Sequence, residues 1–278
     1  MTQPKFRQLL VALLPDYAAE LAPPDDSISQ LATAVVIDTL RFTTTASQAL
    51  ALGARSVYVS SCVEQAIQLA NELPARPLLC GERFCHPIEG FDLGNSPLEL
   101  KREVVSGRDL VFTTTNGTLA AQAVRHVPSV LLAALVNRRA VCQHLKAIES
   151  GDVLLVCAGT DGQLTWEDVL TAGAIIDDLG QSENFQYGHD TARLAHAAWQ
   201  AAMTHDPRSQ NIDAEARSIR LELELSNSIG GRNLLESGFQ RDVHFAAQID
   251  SLTAVPLNSP TWPLRFANAT HPTSGNNL

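Results

Sequence analysis

Short apolar runs recur through the first part of the chain and predict the strands of a buried sheet. They lie at 33–37, 56–59, 77–79, 110–112, 129–132 and 153–156. Because these runs are apolar nearly throughout rather than alternating, we expect strands that are covered on both faces. An earlier run at 9–14 stops at Pro15 and Asp16. It is too short for a signal peptide and predicts an N-terminal strand.

Helical patterns fill most of the gaps between these runs, at 44–52, 63–73, 98–106, 119–126 and 138–150. The third of them is preceded by Ser96 and Pro97, a capping residue and a favoured first residue of a helix. Alternation of strands and helices is typical of layered α/β domains. We therefore expect an α/β/α fold with a central parallel or mixed sheet.

The texture of the sequence changes after Asp178. Residues 181–188 predict a loop, 190–204 and 213–226 predict helices, and 243–255 predict a return to the sheet. From Pro256 onward the chain is rich in Pro, Asn, Thr and Ser. We expect one α/β domain over residues 1–256, with room for two subdomains dividing near 180, and a partly disordered surface tail at 257–278.

Composition and charge exclude several classes of function. Apolar residues are 45% of the chain, enough for a sizeable core. Thirty acidic residues against twenty basic ones give a net charge of −10 without a basic cluster, which argues against nucleic-acid and anionic-membrane partners. No apolar run approaches the roughly 18–20 residues of a membrane span.

The cysteines predict the compartment and weigh against a zinc site. Five cysteines without framework spacing are typical of reduced thiols, so we expect a cytoplasmic protein. Among them, Cys80 and Cys85 with the adjacent His86 are a weak zinc signal. An acidic chain with several apolar helices is also compatible with a homodimer.

Polar residues that follow the first central run are the leading candidates for chemistry. Asp38 comes directly after the run, and Arg41 with the hydroxyls of Thr43, Thr44 and Thr45 opens the next helix. A helix N-terminus suits an oxyanion, and Arg41 could clamp that anion with two hydrogen bonds. A carboxylate beside an anion suggests that Mg²⁺ lies between them. The alternative is an Asp that caps the helix and threonines that satisfy a turn.

A second hydroxyl-rich segment follows the run at 110–112 and also precedes a helix. It supplies four polar side chains and a glycine: Thr114, Thr115, Asn116, Gly117 and Thr118. A glycine there permits a close backbone approach. Two such segments after two buried strands favour an anion site over two polar turns.

A Gly-rich loop after the run at 77–79 adds acidic and basic candidates. Glu82 and Asp92 are candidate hard-oxygen ligands of Mg²⁺, Arg83 is a candidate anion-binding residue, and Asn95 lies nearby. Long loops inside a compact domain are often functional. The alternative is a solvated loop with a surface ion pair.

The last run ends at Cys157, which is followed by Gly159 and Asp161. Cys157 is a candidate nucleophile if its pKa is lowered, but the Arg six residues on that cysteine phosphatases need is absent. The alternative is a small buried strand residue. Asp38 could be a phosphoryl acceptor, although Leu40 stands where the haloacid-dehalogenase superfamily has its second Asp. Motifs for nucleotides, dinucleotides and serine hydrolases are absent.

Several segments, taken together and in order, resemble the 2-phosphosulfolactate phosphatases of coenzyme M biosynthesis. They lie at 35–45, 81–83, 90–97, 113–118, 157–159, 166–168, 228–232 and 238–242. The resemblance spans about residues 33 to 256 and implies an α/β fold peculiar to the family. It implies a Mg²⁺-dependent phosphatase that converts (2R)-2-phospho-3-sulfolactate into 3-sulfolactate and phosphate.

The resemblance also implies roles for the candidate residues. Asp38, Glu82 and Asp92 would be the metal ligands, and Asp38, Arg41, Asp161 and Cys157 the catalytic candidates. One of the carboxylates would activate water, with a covalent route through Cys157 as the minor alternative. The substrate-binding candidates are Thr43, Thr44, Thr45, Arg83, Asn95, Ser96, Thr114, Thr115, Asn116, Gly117, Thr118 and Gly159.

Three departures from the family pattern bear on the substrate. Phe42 stands where a small residue is expected, residues 85–87 replace a shorter stretch that contains Gly, and 181–211 match nothing in the pattern. The alternatives are a phosphatase of another phosphorylated hydroxy acid, an anion-binding protein without activity, and an enzyme of sulfonate or carboxylate metabolism without phosphoryl transfer.

Overall fold

The computed structural model describes residues 6–22, 30–182, 184–203, 214–259 and 263–269. The strands in these ranges form one sheet of eleven strands. They are β1 (Arg7–Ala12), β2 (Leu31–Ile37), β3 (Ser56–Val59), β4 (Leu78–Arg83), β5 (His86–Pro87), β6 (Asp109–Thr113), β7 (Ser129–Ala133), β8 (Asp152–Cys157), β9 (Phe185–Tyr187), β10 (Pro256–Ser259) and β11 (Arg265–Asn268).

The helices of the described ranges connect the strands and cover the sheet. They are α1 (Pro15–Leu21), α2 (Phe42–Ala51), α3 (Val63–Glu72), α4 (Arg102–Val105), α5 (Gly117–Ala123), α6 (Arg138–Ala147), α7 (Trp166–Leu179), α8 (Asp190–Met203), α9 (Ala214–Ser226), α10 (Ile229–Glu236) and α11 (Gln240–Ala246). The predicted layered α/β fold with a mixed sheet is confirmed. None of these helices is long and apolar enough to cross a membrane.

The apolar runs are explained by strands that are buried on both faces. In β2, Ala34 and Val36 pack into one hydrophobic cluster, whereas Val35 and Ile37 pack into another on the opposite face. All four side chains are fully buried. A strand with helices on both sides has no polar face, so its sequence does not alternate.

The sheet consists of two parallel halves joined by an antiparallel hairpin. Its order is β5-β4-β6-β3-β11-β10-β7-β2-β8-β1-β9. The strands β4, β6 and β3 are parallel, as are β7, β2, β8, β1 and β9, whereas β3–β11, β11–β10 and β10–β7 are antiparallel. Three successive antiparallel pairings reverse the strand direction between the halves. Both halves nevertheless contribute to one hydrophobic cluster with α2 and α5. The segment after β6 approaches the end of β2, since a Cβ on Gly117 would lie 2.2 Å from Asp38 Oδ2.

The prediction of a surface tail from 257 onward is wrong where the chain forms β10 and β11. Phe266 is fully buried in the cluster around α2, and Leu257 packs on the opposite face. The asparagines that suggested a tail are part of the pairing, since Asn258 Oδ1 accepts a hydrogen bond from Val130 N and Asn268 Oδ1 from Val255 N, both at 2.8 Å. Residues 260–262 and 270–278 of the predicted tail lie outside the described residues.

Two predicted elements differ near the functional region. Residues 243–255 do not return to the sheet as a strand, because α11 continues to Ala246 and the sheet resumes at Pro256. The helix predicted at 98–106 is limited to α4. Its expected cap, Ser96, donates instead to Asp242 Oδ1 at 2.6 Å and accepts from Leu98 N at 3.2 Å, so the chain forms a turn there.

The helices after α7 form a third packed region. Trp199 of α8, Leu221 and Leu225 of α9, and Leu234 of α10 are buried in one cluster with residues of α7 and α11. This region covers the end of the sheet where β2 and β8 terminate. The predicted division into subdomains near 180 stays a prediction.

Candidate active site

A cleft of about 240 Å³ lies where the segments after β2, β4, β6 and β8 meet α10. This volume is below the roughly 300–1,000 Å³ of drug-sized sites, so the cleft suits a small metabolite. Residues from six segments line it: Asp38, Leu40, Arg41, Glu82, Phe84, Cys85, Asn95, Thr115, Asn116, Thr160, Asp161, Gly230, Asn233, Leu234, Glu236 and Ser237. Seven of these are candidates from the sequence: Asp38, Arg41, Glu82, Asn95, Thr115, Asn116 and Asp161.

Asp38 lies at the base of the cleft, directly after β2. Asp38 is 7% exposed, and its Oδ1 accepts a long hydrogen bond of 3.3 Å from Phe42 N at the start of α2. A Cβ on Gly117 would lie 2.2 Å from Asp38 Oδ2, so this carboxylate needs glycine at the start of α5. Gly117 therefore allows the start of α5 to approach the Asp38 carboxylate closely.

The threonines after β2 hold the loop rather than line the cleft. Thr43 Oγ1 donates to Asp38 O at 2.8 Å, Thr44 Oγ1 to Thr39 O at 2.7 Å, and Thr45 Oγ1 to Asn95 O at 2.8 Å. After β6, Thr118 Oγ1 donates to Thr114 O at 2.8 Å, which fixes the start of α5. These hydroxyls satisfy backbone carbonyls and shape the cleft from behind.

Glu82 joins two loops of the cleft. Its Oε1 accepts hydrogen bonds from Thr115 N at 2.9 Å and Thr115 Oγ1 at 3.1 Å, and its Oε2 accepts one from Cys85 N at 3.0 Å. The neighbouring Arg83 is directed at the strand, where its guanidinium donates to Glu82 O at 2.7 Å and to Thr113 Oγ1 at 3.2 Å. The structure therefore brings Glu82 to the cleft and leaves Arg83 outside its lining.

Asn95 lines the cleft and has an unpartnered amide oxygen. Asn95 is 4% exposed, and its Oδ1 is buried with no hydrogen-bond partner among the described residues. An amide oxygen buried without a donor costs free energy, so a ligand or cation is the expected partner. Asp38, Glu82 and Asn95 thus place two carboxylates and an amide oxygen in one cleft.

This oxygen set fits Mg²⁺. Within the described ranges, no three His, Cys, Asp or Glu side chains converge as a closed metal site. Magnesium does not require one, because it keeps several waters and is commonly held by one or two carboxylates together with substrate phosphate. Hard oxygen donors without thiolate or imidazole in the set favour Mg²⁺ over zinc.

Asp92 does not reach the cleft. Its carboxylate pairs with Arg76 at 3.0 Å and accepts from Leu79 N at 2.9 Å, beside the start of β4. The first partner is a surface Arg whose side chain is 75% exposed. The structure separates Asp92 from Asp38 and Glu82, with which the sequence grouped it.

Arg41 is held in place by residues that the sequence analysis did not assign to the site. Its NH1 donates to Asp242 Oδ2 and its NH2 to Cys85 O, both at 2.7 Å, and its guanidinium lies 4.3 Å from the Phe239 ring centre. Asp242 also accepts from Ser96, so one buried carboxylate of α11 fixes both residues. The signal for Asp242 was its place in the 238–242 segment of the family pattern.

Asp168 braces the ends of the two central strands. Its Oδ1 accepts from Thr39 N at 2.9 Å, after β2, and its Oδ2 from Gly159 N at 3.0 Å, after β8. Gly159 does not line the cleft, and glycine is needed there because its φ is 64° and a Cβ would lie 2.5 Å from Gln163 O. Acidic residues suit the first turn of a helix such as α7, and only the fold shows that Asp168 reaches back to both strands.

Burial and crowding of carboxylates raise several pKa values around the cleft. Desolvation, followed by the negative charges of Asp168 and Glu82, holds the pKa of Asp38 well above its ordinary value. Burial raises the pKa of Asp168 to about 6, and burial with the charge of Asp168 raises that of Glu167 to about 7. A bound cation would offset the cost of ionising carboxylates in this region.

The charge of the lining supports the same conclusion. Among the described residues of the lining, Asp38, Glu82, Asp161 and Glu236 are acidic, and Arg41 is basic. An anionic substrate would be repelled by four carboxylates that face one guanidinium. A divalent cation between them would reverse that repulsion. Asp161 itself lies on an exposed turn at φ 52°, with its N–H donating to Asn116 Oδ1 at 3.2 Å.

Cys157 lies at the end of β8, fully buried and outside the cleft lining. Burial, followed by the charges of Asp168 and Glu167, holds the pKa of its thiol well above the ordinary value. A thiol of this kind is a poor nucleophile, since the thiolate is the reactive form.

We therefore expect Cys157→Ala to keep phosphate release within about twofold of the unaltered protein. The small cavity left by the sulfur should cost about 1 kcal/mol of unfolding free energy. Steady-state phosphate release and urea unfolding measure the two effects. A loss of activity larger than the loss of folded protein would support Cys157 as the nucleophile of a covalent route.

Glu167 should make the protein less stable as the pH rises. Its pKa is about 7 in the fold against an ordinary value of 4.5, so the folded state binds more protons than the unfolded state between these values. The stability that this group contributes is full below about pH 4.5 and is lost as the pH rises through 7. A shift of this size corresponds to roughly 3 kcal/mol.

We expect Glu167→Gln to raise the free energy of unfolding at pH 8 by up to about 3 kcal/mol and to change it little at pH 4.5. The amide keeps an acceptor next to Gly230, where a Cβ would lie 2.1 Å from Glu167 Oε1. Urea titrations across this pH range test the difference. Equal effects at both pH values would show that the gain does not come from the charge.

The layered α/β fold and the acid-lined cleft at its strand ends define an α/β protein with a small-molecule site. A family model described as 2-phosphosulpholactate phosphatase matches residues 17–260, and the chain belongs to that family. The family resemblance of the sequence segments is thereby confirmed.

Individual relatives agree with the family. A protein of Deinococcus radiodurans is 40% identical over 242 residues, which cover 84% of this chain and 92% of the relative. One of Thermotoga petrophila is 37% identical over 224 residues, covering 81% and 88%, and one of Synechococcus sp. is 38% identical over 239 residues, covering 84% and 92%. Each of the three is named probable 2-phosphosulfolactate phosphatase.

Proposed function

We propose that this chain is a Mg²⁺-dependent phosphatase that hydrolyses 2-phospho-3-sulfolactate to 3-sulfolactate and phosphate. The family supports the reaction. The observation that carries the proposal in this chain is the cleft itself, where buried Asp38, Glu82 and the unpartnered amide oxygen of Asn95 lie together. A substrate with three anionic groups would be repelled by such a set of oxygens unless a cation lies between them.

In this proposal, Asp38 and Asn95 hold the metal, and Glu82 holds it with the lone pairs that Thr115 and Cys85 leave free. When bound, Mg²⁺ neutralises phosphoryl oxygens. Arg41, fixed by Asp242, donates its remaining N–H groups to the substrate. The backbone and side chains of Thr115 and Asn116 supply further donors beside the anion.

The reaction needs one proton acceptor for water. The attacking water forms a new P–O bond while the ester P–O bond breaks. The leaving oxygen takes a proton from solvent and becomes the hydroxyl of sulfolactate, which balances the proton that the attacking water gives up. Asp161 lies on a separate loop from the proposed metal ligands and is the candidate that accepts the proton of the water. The phosphate leaves with the remaining charge.

Phosphate release from 2-phospho-3-sulfolactate with Mg²⁺, and with EDTA in its place, tests the proposal. We expect release that depends on Mg²⁺ and recovers when the metal is returned. Release only from other phosphorylated hydroxy acids would keep the chemistry and change the substrate. Binding of sulfolactate without release from any phosphoester would overturn the activity and place the chain among anion-binding proteins.

A further inference from the structure

The turn between β4 and β5 is built from two unusual residues. Arg83 pairs with His86 across the antiparallel hairpin, so Phe84 and Cys85 form a two-residue turn. Their φ angles are 51° and 67°. Hairpin turns with two positive φ angles favour Asn and Gly, because other side chains are strained there.

The cleft itself holds this turn in place. Cys85 N donates to Glu82 Oε2 at 3.0 Å, and Cys85 O accepts from Arg41 at 2.7 Å. Phe84 lines the cleft and is 90% exposed. Strained backbone that is retained beside a functional site indicates a role for the side chain that it presents.

Part of the cleft lining is apolar. Leu40, Cys85 and Leu234 line the cleft and pack in the hydrophobic cluster of α7 to α11. Phe84, next to Cys85 in the chain, adds an exposed ring to the lining. The polar part of the lining includes Asp38, Glu82 and Asn95. The cleft therefore combines acidic and apolar side chains.

A substrate whose groups are all anionic makes no apolar contact with these lining residues. We propose that Phe84 is a specificity-determining residue, and that the cleft accepts 2-phosphohydroxy acids that carry an apolar group on C3. This proposal rests on the proposed phosphatase activity and extends its substrate class. The reaction is unchanged: water replaces the ester oxygen on phosphorus, and the hydroxy acid and phosphate leave.

Two phosphoesters and three variants test the proposal. The unaltered protein and Phe84→Asn, Phe84→Leu and Tyr17→Ala are assayed for phosphate release from 2-phospho-3-phenyllactate and 2-phospho-3-sulfolactate with Mg²⁺. Asn suits the positive φ and removes the ring, whereas Leu keeps an apolar side chain. Tyr17 is an exposed aromatic residue of α1 outside the cleft lining and is the matched control.

We expect the unaltered protein and Tyr17→Ala to have the same ratio of kcat/KM for the phenyl ester over the sulfo ester. Phe84→Asn should lower this ratio at least about tenfold, through KM of the phenyl ester, and Phe84→Leu should keep it within about threefold. Release from the sulfo ester alone, or an unchanged ratio in Phe84→Asn, would overturn the role of Phe84 and leave the phosphatase activity standing. No release from either ester would overturn the activity itself.

Discussion

Asp38→Asn should reduce phosphate release at least about 1,000-fold while the protein stays folded. The substitution removes one charge from the base of the cleft and leaves a side chain of the same shape. Because burial and the charges of Asp168 and Glu82 hold the pKa of Asp38 well above its ordinary value, this charge destabilises the fold. The free energy of unfolding should therefore stay level or rise as activity falls.

Asp92→Asn is the matched control for this experiment. The sequence grouped Asp92 with Asp38 as a metal ligand, but the structure places it beside Arg76 and Leu79. We expect its activity to stay within about twofold, because Asp92 does not reach the cleft. The fold should also change little in stability, since a surface ion pair contributes about 0–1 kcal/mol. Equal losses in both variants would mean that Asp92 reaches the metal in the working enzyme.

Metal titration sharpens the comparison. Binding to the folded state alone raises the thermal midpoint, so Mg²⁺ should stabilise the unaltered protein and Asp92→Asn. It should not stabilise Asp38→Asn. Thermal unfolding at several Mg²⁺ concentrations thus reports the metal site without using activity. Stabilisation of Asp38→Asn by Mg²⁺ would remove Asp38 from the ligand set.

The sequence predicted the candidate site where local position decides the outcome. Asp38, Thr115 and Asn116 come just after strands and Glu82 lies near the end of β4, and these strand ends are readable from the ends of apolar runs. Asp161 follows the same logic after β8. Side chains whose partners are distant in the chain could not be placed in this way. Asp92 is one example, because its partner Arg76 precedes β4.

Asp168 and Asp242 are site-shaping residues that the sequence could not place, because their partners are distant in the chain. Asp168 reaches Thr39, 129 positions earlier, and Asp242 reaches Arg41, 201 positions earlier. A carboxylate in the first turn of a helix suits the helix dipole wherever the helix lies, so the local pattern gives a sufficient reason for its presence. Its contact with a distant strand depends on how the helices of the third region pack.

The fold was predictable for strands that are apolar on both faces and not for strands at the junction. β10 and β11 are short, contain asparagine and are followed or preceded by polar residues, so composition indicated a tail. Their place in the sheet depends on Leu257 and Phe266, one apolar residue for each face. Two apolar residues are too few for a periodic signal, although they are enough to join two halves of a sheet.

Asp242→Ala should be the most destabilising single change at the site. Arg41 and Asp242 form an ion pair whose side chains are 3% and 2% exposed. Removing Asp242 leaves a buried guanidinium without its partner, and Ser96 without its acceptor, so we expect a loss of about 3–5 kcal/mol. Activity should also fall, because Arg41 then loses the contact that orients it in the cleft.

The double variant Arg41→Met with Asp242→Leu separates stability from function. Replacing both members of a buried pair by apolar side chains of similar size is often close to neutral for stability. We expect the double variant to recover most of the unfolding free energy lost in Asp242→Ala, but not the phosphate release. Urea unfolding and steady-state kinetics measure both. Recovery of activity together with stability would mean that the pair holds α11 against the cleft and that Arg41 does not contact the substrate.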